Sequence, residues 1–154
     1  YIEKSGKLRL PSFHEGWRFN FNKHAKTKDV QTYVLITKET PDNIEGCLIY
    51  KMVDNNEPYM AYIETAPHNK GKDRHYDLVA GCLIAFACRL SFQLGKGDYQ
   101  GWLAFDVQEP TEKDQLKLMA LYSTKYYAKR IPGTTSMCIM PEDGEKLIDK
   151  YLES

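Results

Sequence analysis

The hydrophobic pattern of this chain changes from the period of strands to that of a helix and back again, and that change limits the folds that the chain can adopt. Residues 32–37, 46–53 and 59–65 are rich in β-branched and aromatic residues and are separated by turn sequences, so they predict three antiparallel strands. Residues 77–94 then carry apolar side chains at helical spacings, and residues 101–107 predict a fourth strand. Because a strand, a helix and a strand in succession require a crossover, we expect 59–65 and 101–107 to run parallel in one sheet.

The last third of the chain adds two helices and two short strands. Thr111 can cap a helix that has acidic residues in its first turn. Residues 128–131 and 135–140 predict short strands separated by a Pro-Gly turn, and Pro141 is placed to begin a final helix. The pattern as a whole predicts an α+β fold with a mixed sheet.

The charge balance bears on possible partners. The 154 residues include 21 Lys+Arg and 21 Asp+Glu, so the formal net charge is zero. General binding to nucleic acid requires a basic excess that neutralises phosphates, and a polybasic membrane surface requires the same excess. We therefore expect neither a nucleic-acid partner nor a membrane partner.

The cysteines indicate neither a metal site nor a redox motif. Cys47, Cys82, Cys88 and Cys138 stand in apolar runs, and none belongs to a CxxC pair. We interpret them as buried free thiols in a reducing compartment, which favours a cytoplasmic protein without a bound metal. Since the chain begins with Tyr1, we expect a short N-terminal piece to precede it.

The segment between the third predicted strand and the long helix is a candidate anion site. Residues 66–76 contain a glycine, two lysines, an arginine and two histidines, and they lead into a helix N-terminus. Free main-chain N–H groups and the helix dipole favour anions there, and basic side chains can add charge-assisted hydrogen bonds to phosphate. The alternative is a solvated basic loop. A P-loop is excluded because its glycine-lysine pattern is absent from the sequence.

Three segments resemble elements of the GNAT acyltransferase superfamily, and the resemblance extends over roughly residues 32–152. Residues 62–69 (Tyr-Ile-Glu-Thr-Ala-Pro-His-Asn) resemble its central strand and the exit from it. Residues 79–84 (Val-Ala-Gly-Cys-Leu-Ile) resemble the first turns of its acyl-CoA-binding helix. Residues 121–127 (Leu-Tyr-Ser-Thr-Lys-Tyr-Tyr) resemble its late L-Y-x-x-x-G-F element.

The resemblance implies a fold and a domain organisation. We expect residues 1–154 to form a single GNAT-like domain, with an N-terminal segment at 1–30 and a core at 31–154. The sheet should be mixed and mostly antiparallel, with flanking helices and a central parallel strand pair.

The resemblance also implies an activity and its residues. We expect an acyl-CoA-dependent N-acyltransferase without a metal that moves an acetyl group from acetyl-CoA to a small-molecule or peptide amine, with a homodimer as the candidate assembly. Glu64 would accept the proton of the amine and Tyr122 would protonate the coenzyme A thiolate. The residues expected to hold the coenzyme are Ile63, Thr65, Lys70, Gly71, Lys72, Arg74, His75, Tyr76, Val79, Ala80 and Gly81.

One position departs from the family pattern. The pyrophosphate motif of the superfamily is Q/R-x-x-G-x-G/A, and this chain has His75, Leu78 and Ala80 at the motif positions. A leucine in place of a glycine could obstruct the approach of phosphate to the backbone. Residues 16–21 and 33–37 also resemble a bacterial subgroup of the superfamily, which would then have a degenerate pyrophosphate motif. The departure from the motif leaves a noncatalytic binding module as an alternative to the enzyme.

A second alternative is a protein-interaction domain. Trp17, Phe19 and Phe21 alternate with polar residues, a pattern that predicts a short strand or an aromatic docking segment.

Overall fold

The computed structural model of the protein describes residues 2–4, 10–12, 15–27, 29–69, 73–107 and 109–152, and describes residues 73–77 by their backbone only. Within these residues lies a seven-stranded sheet with the order β1-β2-β3-β4-β5-β7-β6. The strands are β1 (Ile2–Lys4), β2 (Val30–Leu35), β3 (Gly46–Val53), β4 (Glu57–Thr65), β5 (Leu103–Asp106), β6 (Lys129–Arg130) and β7 (Ser136–Ile139). The helices are α1 (Phe21–His24), α2 (Asp73–Leu94), α3 (Glu112–Tyr126) and α4 (Pro141–Tyr151).

The central pair of strands has the predicted direction. β4 runs parallel to β5, and every other strand pair in the described sheet is antiparallel. The chain crosses from β4 to β5 through α2, as the strand–helix–strand pattern requires. The expected mixed sheet with a central parallel pair and flanking helices is confirmed.

Two apolar clusters cover opposite faces of the sheet. Along β3, Leu48 and Tyr50 belong to the cluster that includes α2, α3 and α4, whereas Cys47 and Ile49 belong to the cluster that includes α1. Side chains alternate between the two faces of a strand, so β3 contributes to both layers. β3 is therefore covered on both sides, and both layers hold it in place.

The first helix of the crossover is longer than the sequence pattern predicts. α2 begins at Asp73 rather than at residue 77. The apolar pattern does not indicate the first turn because that turn is polar. At its first apolar positions Val79 is buried and Leu78 is 54% exposed. Thr111 caps α3 as predicted, since its hydroxyl oxygen accepts the N–H of Asp114 at 3.1 Å.

The aromatic segment before α1 belongs to the core. Trp17 and Phe21 are 7% and 0% exposed, and their rings pack edge to face at 5.8 Å. Phe21 also begins α1. The prediction of a strand is therefore wrong, because residues 17–20 do not form a strand and Trp17 and Phe21 are buried against β2 and β3. The docking role of the segment stays a prediction, and the burial of Trp17 counts against it.

The thiols behave as the sequence predicts in part. All four cysteines are free; Cys47 and Cys88 are buried, and the other two are half-buried. Burial raises the pKa of the Cys88 thiol to about 12, so this group stays protonated and apolar.

Gly101 sets the turn that leads into β5, and this generates a stability prediction. Its φ is +87°, and a Cβ there would lie 2.6 Å from the ring of Phe92. Gly101→Ala should lower the free energy of unfolding by about 1–2 kcal/mol for the left-handed backbone and by about 1–3 kcal/mol more for overpacking. Urea denaturation measures the loss.

Gly97 supplies a matched control for that substitution. Its φ is +58°, but a Cβ at this position would have no neighbouring atom within 4 Å. Gly97→Ala should therefore show the backbone cost alone. Equal losses in the two variants would contradict the contact with Phe92.

Candidate active site

A cleft opens where β4 and β5 separate. The two strands pair at a single register position, Tyr59 opposite Ala104, and β4 continues to Thr65 without β5 beside it. A cavity of about 160 Å³ fills this gap. Its lining residues are Arg18, Phe19, Met60, Ala61, Tyr62, Ile63, Glu64, Thr65, Phe105, Asp106, Val107, Glu109, Leu118 and Tyr122.

The backbone of β4 faces the cleft along its open edge. Ile49 pairs with Tyr62 and the next residue of β3 pairs with Met60, so Ala61 is the extra residue of a β-bulge. Further along, the N–H of Ala66 donates to the carbonyl oxygen that precedes β3 at 2.9 Å. Main-chain groups alternate between the two edges of a strand, so those of Ile63 and Thr65 point to the other edge and into the cleft.

Glu64 anchors the N-terminal segment to β4. Its side chain is 7% exposed, and its carboxylate accepts the main-chain N–H of Arg18 at 2.7 Å and that of Phe19 at 2.9 Å. Hydrogen bonds to a charged acceptor are among the stronger ones in proteins. The residue predicted as a proton acceptor thus lines the cleft, with both of its oxygens engaged.

An ion pair bridges the mouth of the cleft. The guanidinium of Arg18 donates to the carboxylate of Glu109 at 2.8 Å, and it also lies 5.0 Å from the ring centroid of Phe19. Glu109 stands in the connection from β5 to α3, where the side-chain amide of Gln115 donates to its carbonyl oxygen at 3.1 Å. The pair therefore joins the N-terminal segment to the opposite wall.

Asp106 is a cleft residue that the sequence analysis missed. Its carboxylate accepts hydrogen bonds from the hydroxyls of Tyr59 and Ser136, each at 2.6 Å. The hydrogen bonds from Ser136 and then Tyr59 lower the pKa of Asp106, whereas burial and then the bond to Asp106 raise the pKa of Tyr59. The available signal was a lone carboxylate at the end of an apolar strand, where ligands of open sheets bind.

Tyr122 stands in the wall opposite the N-terminal segment. It is half-buried on α3, and its ring packs edge to face against Phe105 with centroids 5.2 Å apart. The structure therefore brings Ile63, Glu64, Thr65 and Tyr122 to one cavity.

Most of the residues predicted to bind phosphate are described only in part or not at all. Lys70, Gly71 and Lys72 lie outside the described residues, and so do the side chains of Arg74, His75 and Tyr76. Because α2 begins at Asp73, the N–H groups of residues 73–75 have no partner within the helix. Residues 79–81 lie beyond the first turn, where main-chain N–H groups bond inside the helix.

Val79 and Gly81 also have packing roles. A Cβ on Gly46 would lie 2.8 Å from Val79, and one on Gly81 would lie 2.2 Å from the ring of Tyr151. These two residues set how closely α2 approaches β3 and α4. Ala80 between them is half-buried.

The described part of the chain has neither a metal-binding cluster nor a membrane-spanning helix. No group of three or more His, Cys, Asp or Glu side chains there is arranged to hold a metal ion. No helix there has the length and apolar character needed to cross a bilayer.

Solved structures of other proteins share this architecture, although no protein-family model and no curated protein matches the sequence. The KacTA–DNA complex matches with a TM-score of 0.59 at 9% identity, over 97% of this chain and 98% of that one. AtaTR bound with AcCoA matches with a TM-score of 0.57 at 13% identity, over 96% and 97%. A chimera of the Vibrio cholerae spermidine N-acetyltransferase SpeG and hSSAT matches with a TM-score of 0.52 at 18% identity, over 82% and 77%.

This chain has the GNAT fold. The resemblance that the sequence motifs carry is thus confirmed at the level of the fold. In the GNAT fold of this chain, the cleft lies between the central parallel strands, and the motif residues of β4 and α3 line it.

The expectation of no nucleic-acid partner is wrong. A protein with the same fold, matched over 97% of this chain, has been solved in a complex with DNA. A net charge of zero argues only against general attraction of the whole chain to phosphates. The net charge does not indicate whether a protein of this fold joins a complex that contains DNA. The charge balance was therefore not sufficient to exclude a nucleic-acid partner.

The network around Asp106 generates a pH-dependent prediction. Asp106→Asn should lower the free energy of unfolding at pH 7 by about 1–3 kcal/mol, because two hydroxyls lose a charged acceptor. The folded-state pKa of Asp106 lies below its ordinary value, so its stabilisation is complete above the ordinary pKa and is lost as the pH falls through the folded one. Urea denaturation at several pH values should show the difference between wild type and variant shrinking below about pH 4.

The control is the exposed Asp98, which stands in the turn before β5. Asp98→Asn should change stability little at any pH. A constant difference between wild type and Asp106→Asn down to about pH 3 would contradict the charged network.

Proposed function

We propose that this protein is an acetyl-CoA-dependent N-acetyltransferase that acts on an amine of a small molecule or peptide. The observation that carries the proposal is the cleft between the diverging ends of β4 and β5, with the main-chain groups of Ile63 and Thr65 on one edge and Tyr122 in its wall. The solved complex of AtaTR with AcCoA, which has the same fold, supports this choice of acyl donor. The SpeG enzyme supports an amine acceptor.

The main chain of β4 would hold the donor. The main-chain N–H groups of Ile63 and Thr65 would bond the pantetheine amides, and one of them would polarise the thioester carbonyl. The pyrophosphate would bind the first turn of α2, residues 73–76, where the helix N-terminus favours an anion. The basic side chains of Lys70, Lys72 and Arg74 would add charge there.

The chemistry is a direct transfer. The neutral amine nitrogen forms a bond to the thioester carbon, the C–S bond breaks, and the phenol of Tyr122 gives its proton to the departing thiolate. A tyrosine suits this step because its ordinary pKa, near 10, keeps it protonated at neutral pH. The resemblance makes Glu64 the acceptor of the amine's proton; since its oxygens already accept two main-chain N–H groups, we assign that proton to water in the cleft.

Calorimetry and thiol release test the activity. We expect acetyl-CoA to bind the wild-type protein, and we expect coenzyme A to be released when n-butylamine is present and not when it is absent. Loss of all binding at high acetyl-CoA concentration would contradict the proposal. Binding without release for any amine in a panel would favour the noncatalytic module.

Tyr122→Phe tests the assignment of the acid. The variant removes only a hydroxyl, so turnover with n-butylamine should fall by about 10- to 1000-fold, while acetyl-CoA affinity and the melting temperature should change little. Tyr127→Phe is the matched control, because Tyr127 is an exposed tyrosine at the C-cap of the same helix, with the ammonium of Lys146 over its ring. Full turnover together with a lowered melting temperature would return Tyr122 to a purely packing role.

A further inference from the structure

The segment of residues 17–20, here named the strap, crosses the side of the cleft that faces away from α3. Several contacts hold it in place. Trp17 is buried beside Phe21, the N–H groups of Arg18 and Phe19 bond Glu64, and the guanidinium of Arg18 bonds Glu109. The strap therefore spans from β4 to the connection between β5 and α3, and it lines the cavity.

The two carboxylates that bind the strap differ in character. Glu64 is buried, and its two hydrogen bonds are charge-assisted and shielded from water. The Arg18–Glu109 pair is exposed at the arginine end, whose side chain is 42% accessible, and exposed pairs contribute little to stability. Of these two carboxylates, Glu64 is thus the one that holds the main chain of the strap more firmly.

The strap brings an aromatic surface to the cleft. The ring of Phe19 packs edge to face on that of Tyr62 at 5.2 Å, and Tyr62 in turn stacks on His24 at 4.1 Å. Phe19 and Tyr62 both line the cavity, on the opposite face of the sheet from Phe105 and Tyr122. α2 packs on the same face of the sheet as Phe105 and Tyr122, so an acyl donor whose phosphates bind at α2 would occupy that face. The face with Phe19 and Tyr62 is then left for the acceptor.

We infer that Glu64 is a positioning residue for the acceptor amine: it holds the strap as the wall of the acceptor half of the cleft. The inference rests on the proposed acetyl transfer and differs from the role that the family resemblance gives Glu64. Without the carboxylate, two main-chain N–H groups lose a shared charged acceptor, and the strap loosens from β4 at Arg18 and Phe19 while Trp17 stays in the core.

Amide hydrogen exchange tests the attachment without any substrate. In Glu64→Gln, the N–H groups of Arg18 and Phe19 should exchange faster by about tenfold or more, as expected for the loss of charge-assisted hydrogen bonds. Glu57→Gln is the matched control, since Glu57 lies at the opposite end of the same strand, and it should leave both rates unchanged. Unchanged exchange in a folded Glu64→Gln would overturn the inference.

Kinetics with acetyl-CoA and n-butylamine separate positioning from proton transfer. Loss of the wall should raise the KM for n-butylamine by about tenfold and change kcat by less than about threefold. Loss of a general base would instead lower kcat by about 100-fold or more, with the KM and the exchange rates unchanged, and would overturn the inference.

Glu109→Gln loosens the strap from its exposed end and guards against a Glu64 variant that fails to fold. Its KM for n-butylamine should rise by about two- to threefold, in keeping with the small contribution of an exposed pair. An unchanged KM would count against the strap as the acceptor wall. Absence of acetyl-CoA binding to the wild type would overturn the proposed activity itself, which the calorimetry reports separately.

Discussion

The short parallel pairing of β4 with β5 is the constraint on which the rest of the site depends. A single register position joins the strands, and beyond it each keeps its other neighbour, β3 for β4 and β7 for β5. The β3–β4 and β5–β7 pairs thus continue on either side of the cleft, while the facing edges of β4 and β5 are unpaired beyond that position. An open inner edge exposes main-chain hydrogen-bonding groups, which must be satisfied by water or by a ligand.

Packing on both faces keeps this gap from closing or spreading. The layer that includes α2, α3 and α4 fills one face, and the N-terminal aromatic segment fills the other. Glu64 and the Arg18–Glu109 pair then tie that segment to both walls of the cleft. The same contacts that complete the second layer therefore also shape the side of the cleft assigned to the acceptor.

The sequence predicts the sheet well because strand and helix periods are local signals. It gives β3 with its observed bounds and the parallel pair by connection length alone. It fails for β1, a three-residue edge strand without a buried position to mark it, and for Trp17, whose alternation with polar residues reads the same in a strand and in a buried turn. The partners of Glu64 lie 45 and 46 residues away, so no local pattern indicates them.

The central claim is that the open edge of β4 binds the acyl donor, and amide chemical shifts during an acetyl-CoA titration test it most directly. The account predicts that the N–H signals of Ile63 and Thr65 move among the most in the protein and saturate together with those of residues 73–76. Saturable binding that leaves Ile63 and Thr65 unmoved, with the largest shifts on another surface, would contradict it.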